Sequence, residues 1–301
     1  MQEIAERMIK VNPLTTQNDK LTAHQELLLE MLKDFDAVCR KHHISYQLFA
    51  GTALGAVRHH GFVPWDDDAD VILTRSEYER FFAEAAKDFD PEIYYVQQEH
   101  GPHWPMPFSK LRRNNTTCME KYHLRDSQMH QGVYIDIFPC DSLSHYSAQK
   151  KLQFVASKAI IAKALYARGY ETNSIGKKLF MQFCRMLPRR PLEAICMCKS
   201  ETKPDMMQTF LAGGRKYQKN MLPREWIEDT VETQFEDAIL PISAHYDAWL
   251  TQLYGDWRTP PSLAERKCKE HVAILDLDHP YTEHLEEQRT MQIENYTRSI
   301  R

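Results

Sequence analysis

Residues 49–75, FAGTALGAVRHHGFVPWDDDADVILTR, join a small-residue turn to four aspartates within five positions. If Asp68 to Leu73 form a β-strand, residues two apart point to the same side, so Asp68 and Asp70 present their carboxylates together. Adjacent carboxylates repel each other unless a cation lies between them. The stretch therefore predicts a divalent-metal site, suited to Mg²⁺ or to Mn²⁺ in its place because both prefer hard oxygen ligands.

The segment before the aspartates predicts a phosphate-binding turn. Residues 46–50 have the pattern of a short strand, and Gly51 and Thr52 lead from it into a helix over 53–58. A helix that begins there directs backbone N–H groups and its positive dipole end at a bound phosphate, and the Thr52 hydroxyl adds a donor. Arg58, about one turn further, is placed to add a charge-assisted hydrogen bond.

A lone aspartate interrupts a second apolar, β-branched run. Asp136 lies in VYIDIF at 133–138, and a buried aspartate without a partner is costly. We expect this run to form a neighbouring strand, with the metal as the partner of Asp136. The full expected metal set is Asp66, Asp68, Asp70 and Asp136, in which Asp66 holds a second ion or a water. No GxxxxGK[ST] motif occurs, so the pattern favours a nucleotidyltransferase-type site over a P-loop.

Four blocks of the sequence resemble the LicD family of phosphocholine transferases, which includes the fukutin-related proteins. The blocks are GTALGAVRHHGFVPWDDDADV at 51–71, SKLRRNNTT at 109–117, GVYIDIFPCD at 132–141 and YGDWRTPP at 254–261. The resemblance implies Mg²⁺-dependent transfer of a phospho-alcohol, typically phosphocholine from CDP-choline, with CMP as the leaving group. The acceptor that it implies is a hydroxyl of a bacterial surface glycan, such as teichoic acid, lipopolysaccharide or capsule.

The resemblance also implies roles for individual residues. Asp68, Asp70 and Asp136 would be the catalytic carboxylates, and Asp136 is in addition a candidate general base. The implied substrate contacts are Gly51, Thr52, Arg58, Trp65, Lys110, Arg112, Asp256 and Trp257. Without the resemblance, Lys110 and Arg112 would be interpreted, together with Arg113, as an exposed basic face. The two tryptophans suit either a core position or stacking on a base or a choline headgroup.

Three other functions share parts of this pattern. A nucleotidyltransferase that moves an NMP group onto a small molecule would use the same carboxylates and release pyrophosphate. A DxD glycosyltransferase would hold the metal of a nucleotide sugar through Asp68 and Asp70, although the Gly51 turn argues against it. A catalytically silent adaptor would keep the fold and bind a lipid-linked glycan through a basic region.

Composition narrows the class of protein. The 301 residues are 43% hydrophobic with a formal net charge of −4, which is typical of a globular enzyme and argues against a nucleic-acid partner. No apolar run approaches bilayer length and the first ten residues lack a signal-peptide core, so we expect a cytoplasmic location. Seven cysteines without a repeated Cys-x-x-Cys pattern fit a reducing compartment.

One region has a different charge balance. Residues 150–199 contain eleven Lys or Arg against two Glu, interleaved with apolar segments. This pattern predicts peripheral contact with the inner face of the plasma membrane, where a lipid-linked glycan acceptor would be found. A helical subdomain with a solvated basic rim is the alternative interpretation.

The periodicity predicts an α+β fold, in which helices pack on a small, nucleotidyltransferase-like mixed β-sheet and a helical insertion follows. We expect a helix over 22–42 with a broad apolar face, and a helix from a capping box at Thr74 to about Phe89. An extended piece and then a helix are expected over 226–254. The expected parts are an N-terminal segment over 1–23, a catalytic core over 24–145, a basic helical insertion over 146–225 and a C-terminal part over 226–301 that completes the catalytic domain.

Overall fold

The computed structural model describes residues 22–101, 103–120, 128–170, 172–198, 205–212, 217–262, 272–286 and 288. Its α-helices are α1 Ala23–Lys41, α2 Ala50–His59, α3 Arg75–Arg80, α4 Ser147–Ala167, α5 Ile175–Met186, α6 Arg189–Met197, α7 Glu225–Glu228 and α8 Tyr246–Tyr254. Its strands are β1 Gln47–Leu48, β2 Asp70–Thr74, β3 Tyr94–Gln97, β4 Ser109–Arg113, β5 Thr117–Glu120, β6 Tyr134–Ser142, β7 Met206–Gln208, β8 Met221–Pro223, β9 Thr230–Phe235, β10 Ala238–Ser243 and β11 Val272–Asp276. The predicted α+β class is confirmed.

The central sheet has the strand order β1–β2–β6–β4–β3. Strands β2 and β6 are parallel, whereas the other neighbours along this path are antiparallel. The register places Asp70 of β2 opposite Asp136 of β6, and Lys110 of β4 opposite the same Asp136. Three charged residues from three adjacent strands are therefore side by side on one face of the sheet.

The opposite face of the sheet is covered by apolar packing. Helix α1 begins with a capping box between Thr22 and Gln25, and it confirms the helix predicted over 22–42. Its apolar side, which includes Leu28 and Phe35, is fully buried with Val71 of β2 in one cluster. Because side chains alternate along a strand, this packing leaves Asp70 on the other face.

The helix after β2 changes its winding along its length. Thr74 accepts a hydrogen bond from the Glu77 backbone N–H at 3.3 Å, as its predicted capping role requires. Helix α3 is followed by a π turn over Phe81–Ala85 and a 3₁₀ turn over Ala86–Asp88. The segment therefore ends one residue before the predicted end near Phe89.

The elements around the aspartates start at other residues than predicted. Strand β2 begins at Asp70, so Asp68 precedes the strand, and the expected placement of both carboxylates on one strand is wrong. The physical reason is that the Asp70 backbone N–H donates to Thr52 Oγ1 at 2.8 Å rather than to a neighbouring strand. Helix α2 begins at Ala50, which places Gly51 and Thr52 inside its first turn.

The later part of the chain contains strands as well as the predicted helices. The region 146–225 holds α4, α5 and α6 but also β7 and β8, and β7 pairs with the end of β6. Over 226–254, a β9–β10 hairpin precedes α8. Strand β11 pairs with β5. Residues 1–21 of the predicted N-terminal segment lie outside the described residues.

None of the described helices is long and apolar enough to cross a membrane.

We expect Gly55→Ala to lower the free energy of unfolding by about 1–3 kcal/mol, because the new methyl group would overpack a dense site. A Cβ at Gly55 of α2 would lie 2.4 Å from the backbone oxygen of Gly61. Gly176→Ala in α5 is the matched control, since its Cβ would meet no atom within 4 Å. That variant should gain about 0.5–1 kcal/mol. Urea unfolding measures both, and equal stabilities would contradict this packing.

Candidate active site

The first turn of α2 forms one wall of a cavity of about 320 Å³. Phe49, the N-cap residue, gives the helix no side-chain hydrogen bond. Ala50 has a φ of 46°, in the left-handed region that residues other than glycine seldom adopt. The residues that line the cavity are Ala50, Gly51, Leu54, Arg58, Val63, Trp65, Asp66, Asp68, Asp70, Tyr254, Asp256, Trp257, Thr259 and Pro261. The positive end of α2 is thus directed at a space that four aspartates also line.

Gly51 allows an aspartate to approach the first turn of α2 closely. A Cβ at this position would lie 2.6 Å from Asp66 Oδ2, which is shorter than real Cβ contacts allow. The Asp66 carboxylate therefore lies against the first turn of α2, where the helix dipole stabilises negative charge. Any larger residue at Gly51 would displace this carboxylate from the cavity wall.

Asp70 is the aspartate that is most affected by the negative charge of its neighbours. Its pKa is raised well above the ordinary value, first by burial and then by the charges of Asp68, Asp136 and Asp66, while Lys110 opposes the rise. The raised pKa means that this set of carboxylates is costly to keep ionised. A cation among them would remove that cost.

Lys110 is the partner that the structure supplies for Asp136. Its Nζ lies 2.8 Å from Asp136 Oδ1 and 3.1 Å from the centre of the Tyr134 ring, and the residue is only 1% exposed. The pKa of Asp136 is nevertheless raised, because burial outweighs the effect of the Lys110 charge. Lys110 is thus a partner of Asp136 that the sequence analysis did not expect, and the metal role of Asp136 stays a prediction.

A second carboxylate connects this pair to the helical region. Glu120 of β5 lies 3.4 Å from Lys110 Nζ and accepts hydrogen bonds from Tyr134 at 3.1 Å and from Arg168 at 2.8 Å. Burial would raise the pKa of Glu120, but the charges of Lys110 and Arg168 outweigh it and hold the pKa below its ordinary value. Arg168 is the C-cap residue of α4. The contacts among Asp136, Lys110, Glu120 and Arg168 therefore link the sheet to that helix.

Five of the eight predicted substrate contacts line the cavity: Gly51, Arg58, Trp65, Asp256 and Trp257. Thr52 is buried and uses its hydroxyl oxygen to hold the Asp70 backbone. Lys110 is engaged with Asp136 as described above. Arg112 is also buried, and it donates to Gln97 Oε1 at 2.6 Å and to the Gly132 backbone oxygen at 2.8 Å. These three buried residues therefore hold neighbouring residues in place and do not line the cavity themselves.

Arg58 joins α2 to the segment that carries Trp257. Its guanidinium donates to the Trp257 backbone oxygen at 2.7 Å and to His59 Nε2 at 2.9 Å. It also lies 5.9 Å from the centre of the Trp65 ring. The Trp257 indole N–H donates to Asp247 at 3.1 Å. Arg58 therefore ties the Trp257 backbone to α2 and also lies near the Trp65 ring.

Tyr254 and Glu120 are among the residues of the site that were not predicted from the sequence. Tyr254 lines the cavity, and its pKa is raised by partial desolvation and then by the charges of Asp70, Asp66 and Asp68. The block YGDWRTPP contained the signal for this residue. Glu120 had no such signal, because no sequence spacing relates it to Lys110 or Arg168.

The donor set fits a hard divalent cation. In the described ranges, no group of three His, Cys, Asp or Glu side chains has the geometry of a preformed metal site. Mg²⁺, however, is usually bound by only one or two carboxylates and completes its shell with phosphates and waters. Asp68 and Asp70 on the cavity wall supply that number, and the raised pKa of Asp70 favours a cation there.

Part of the chain matches the model of a known protein family. Residues 43–166 match the family model described as LicD/FKTN/FKRP, nucleotidyltransferase domain. The chain is 27% identical over 265 residues to the lipopolysaccharide cholinephosphotransferase LicD of Haemophilus influenzae, an alignment that covers 82% of this chain and 96% of the relative. The family-model match over residues 43–166 and the similarity over most of the chain confirm the resemblance to the LicD family found in the sequence.

Two shorter matches are with proteins of Rickettsia. Over 50 residues the chain is 46% identical to an uncharacterized protein of Rickettsia prowazekii and to one of Rickettsia typhi. Each match covers 17% of this chain, and 19% and 16% of the respective relatives. These matches are too short to carry a functional argument.

We expect Lys110→Met to lower the free energy of unfolding by about 3–5 kcal/mol, because it leaves a buried carboxylate without its partner. Arg113→Met on the same strand is the matched control. Arg113 pairs with the half-exposed Glu30, and a surface pair of this kind contributes about 0–1 kcal/mol. Urea unfolding of both variants makes the comparison. A Lys110 variant that is no less stable than the Arg113 variant would refute the importance of the buried pair.

Proposed function

We propose that this protein is a phosphotransferase that moves phosphocholine, or a related phospho-alcohol, from a CDP-alcohol such as CDP-choline to a hydroxyl of a bacterial surface glycan. Lipopolysaccharide is the first acceptor to test, and teichoic acid and capsule are the next. The observation that carries the proposal is the register that places Asp70, which lines the cavity beside the first turn of α2, next to Asp136. The LicD-type domain and the named cholinephosphotransferase relative support it.

The cavity offers separate surfaces for the parts of such a donor. The positive end of α2 at Gly51 and the guanidinium of Arg58 suit the diphosphate. The aromatic faces of Trp65 and Trp257 suit the cytosine ring or a cationic choline group. Asp256, which accepts a hydrogen bond from Thr259 at 2.6 Å, brings a carboxylate to the same wall. It would contact donor hydroxyls.

The proposed reaction is an in-line displacement at the β-phosphorus of the donor. The acceptor oxygen forms a bond to this phosphorus while the bond to the bridging oxygen breaks, and CMP leaves with the electron pair. The proton of the acceptor hydroxyl passes to Asp136. Lys110, at 2.8 Å from Asp136, holds that carboxylate in position. Mg²⁺ held by Asp68, Asp70 and Asp136, with Asp66 at a second ion or a water, would supply neutralisation of charge on the transferred phosphate.

The proposed site of action is the cytoplasm, at the inner face of the plasma membrane. Among the described residues, Cys39, Cys118, Cys140, Cys184, Cys196 and Cys198 are all free thiols, which agrees with a reducing compartment. A CDP-alcohol donor and a lipid-linked glycan acceptor would meet at that face.

Product analysis tests the proposed reaction directly. Purified protein with Mg²⁺, CDP-choline and purified lipopolysaccharide should release CMP and transfer labelled choline to the glycan. CDP-ribitol and CDP-glycerol, offered in the same way, would identify another transferred alcohol. Release of pyrophosphate from a nucleoside triphosphate, with no reaction of any CDP-alcohol, would instead support a nucleotidyltransferase that moves an NMP group.

We expect the Asp70→Asn variant to lose activity in this assay. Loss of several kcal/mol of transition-state stabilisation corresponds to at least about a hundredfold lower rate. The fold should remain, because the neutral side chain removes the repulsion that raises the pKa of Asp70. Asp205→Asn changes an exposed aspartate outside the cavity and should keep full activity. Near-normal turnover of Asp70→Asn would count against the proposed site.

A further inference from the structure

Helix α5 exposes a stripe of apolar side chains to solvent. The stripe consists of four residues that are each more than half exposed: Ile175 at 74%, Leu179 at 60%, Phe183 at 54% and Met186 at 74%. Their spacings of four, four and three residues place them on one side of the helix. Exposed apolar residues are ordinary when scattered, whereas a contiguous stripe marks a contact surface.

The packing of α5 on the protein uses a different side of the helix. Met181 and Cys184 are buried in a cluster with Ala159 and Ala162 of α4. Ser174 caps the first turn by accepting a hydrogen bond from the Lys177 backbone N–H. The fold of this region is therefore complete without the outward stripe, which leaves that stripe for an external partner.

The charges beside the stripe have one sign. Helix α5 contains Lys177, Lys178 and Arg185 and no acidic residue. Arg189 and Arg190 follow at the start of α6 and are exposed. The nearest acidic residue along α6, Glu193, lies 3.0 Å from Arg189. A partner for this surface must therefore combine an apolar interior with a negatively charged boundary.

We propose that α5 docks on an anionic lipid bilayer, with the apolar stripe at the level of the upper acyl chains and the flanking cations at the lipid phosphates. An amphipathic helix with cations on its polar side binds such a surface through apolar burial and electrostatic attraction together. A second copy of this chain is the less complementary partner, because a twofold interface would bring the same cations together.

The contacts of α4 connect this surface to the candidate active site. Arg168 at the end of α4 bonds Glu120, which in turn lies beside Lys110 and its partner Asp136. Docking of α5 would therefore hold the sheet in a fixed orientation to the bilayer. Lipid binding requires no donor, so the docking proposal and the proposed function stand or fall separately.

Vesicle co-sedimentation of the full chain tests the proposal. Wild-type protein should bind vesicles of phosphatidylglycerol and phosphatidylcholine, and bind vesicles of pure phosphatidylcholine at least about tenfold more weakly. Leu179→Gln/Phe183→Gln should lower the partition coefficient at least tenfold. The control Ile239→Gln alters an apolar residue of similar type that is 40% exposed on the β9–β10 hairpin, and it should bind like wild type.

A variant without two of the cations separates the electrostatic from the apolar contribution to vesicle binding. Each cation near an anionic surface contributes about 1 kcal/mol, so Lys178→Gln/Arg185→Gln should weaken binding roughly 30-fold. Thermal unfolding confirms that each variant is folded. Absence of wild-type binding to the anionic vesicles would overturn the proposal, as would unchanged binding of Leu179→Gln/Phe183→Gln. A wild-type dimer in sedimentation analysis that this variant dissociates would also overturn it, in favour of a second copy.

Discussion

The parallel pairing of β2 with β6 is the constraint on which the rest of the site depends. It places Asp70 directly beside Asp136, although 66 positions separate them in the chain. Neither carboxylate is favourable alone in this environment, since burial raises the pKa of both and the charge of Asp136 raises that of Asp70 further. The sheet nevertheless keeps them together because Val71, on the opposite face of β2, is fully buried in the main core. Apolar packing on one face thus holds a costly charge arrangement on the other.

The neighbouring elements reduce that cost in different ways. Lys110 approaches Asp136 from β4, and Thr52 fixes the Asp70 backbone from the first turn of α2. Gly51 allows Asp66 to lie against the same turn. The remaining negative charge faces the cavity. A cation bound there would neutralise it and could bind a phosphate at the same time. We infer that the site is arranged for a ligand that carries both, which agrees with a nucleotide diphosphate bound with its metal.

Much of this arrangement was predictable from local patterns. The aspartate cluster, the Gly51 turn and Asp136 lie in short segments whose chemistry is visible in the sequence, and the helix over 22–42 follows from its apolar period. The role of Lys110 was not predictable in this way, because its partner is set by strand register between distant segments. The same holds for Glu120. Strand β2 started later than predicted because a side chain, Thr52, took the hydrogen bond that a strand would have taken.

Titration with Mn²⁺, followed by electron paramagnetic resonance in the presence of CDP-choline, tests the central claim most directly. Mn²⁺ accepts the same hard oxygen ligands as Mg²⁺ and is observable when bound. We expect donor-dependent binding to wild-type protein and to the Asp205→Asn control, and its loss in Asp70→Asn. Equal binding of Mn²⁺ to Asp70→Asn and to wild type would contradict the claim that the paired carboxylates of β2 and β6 form the metal and phosphate site.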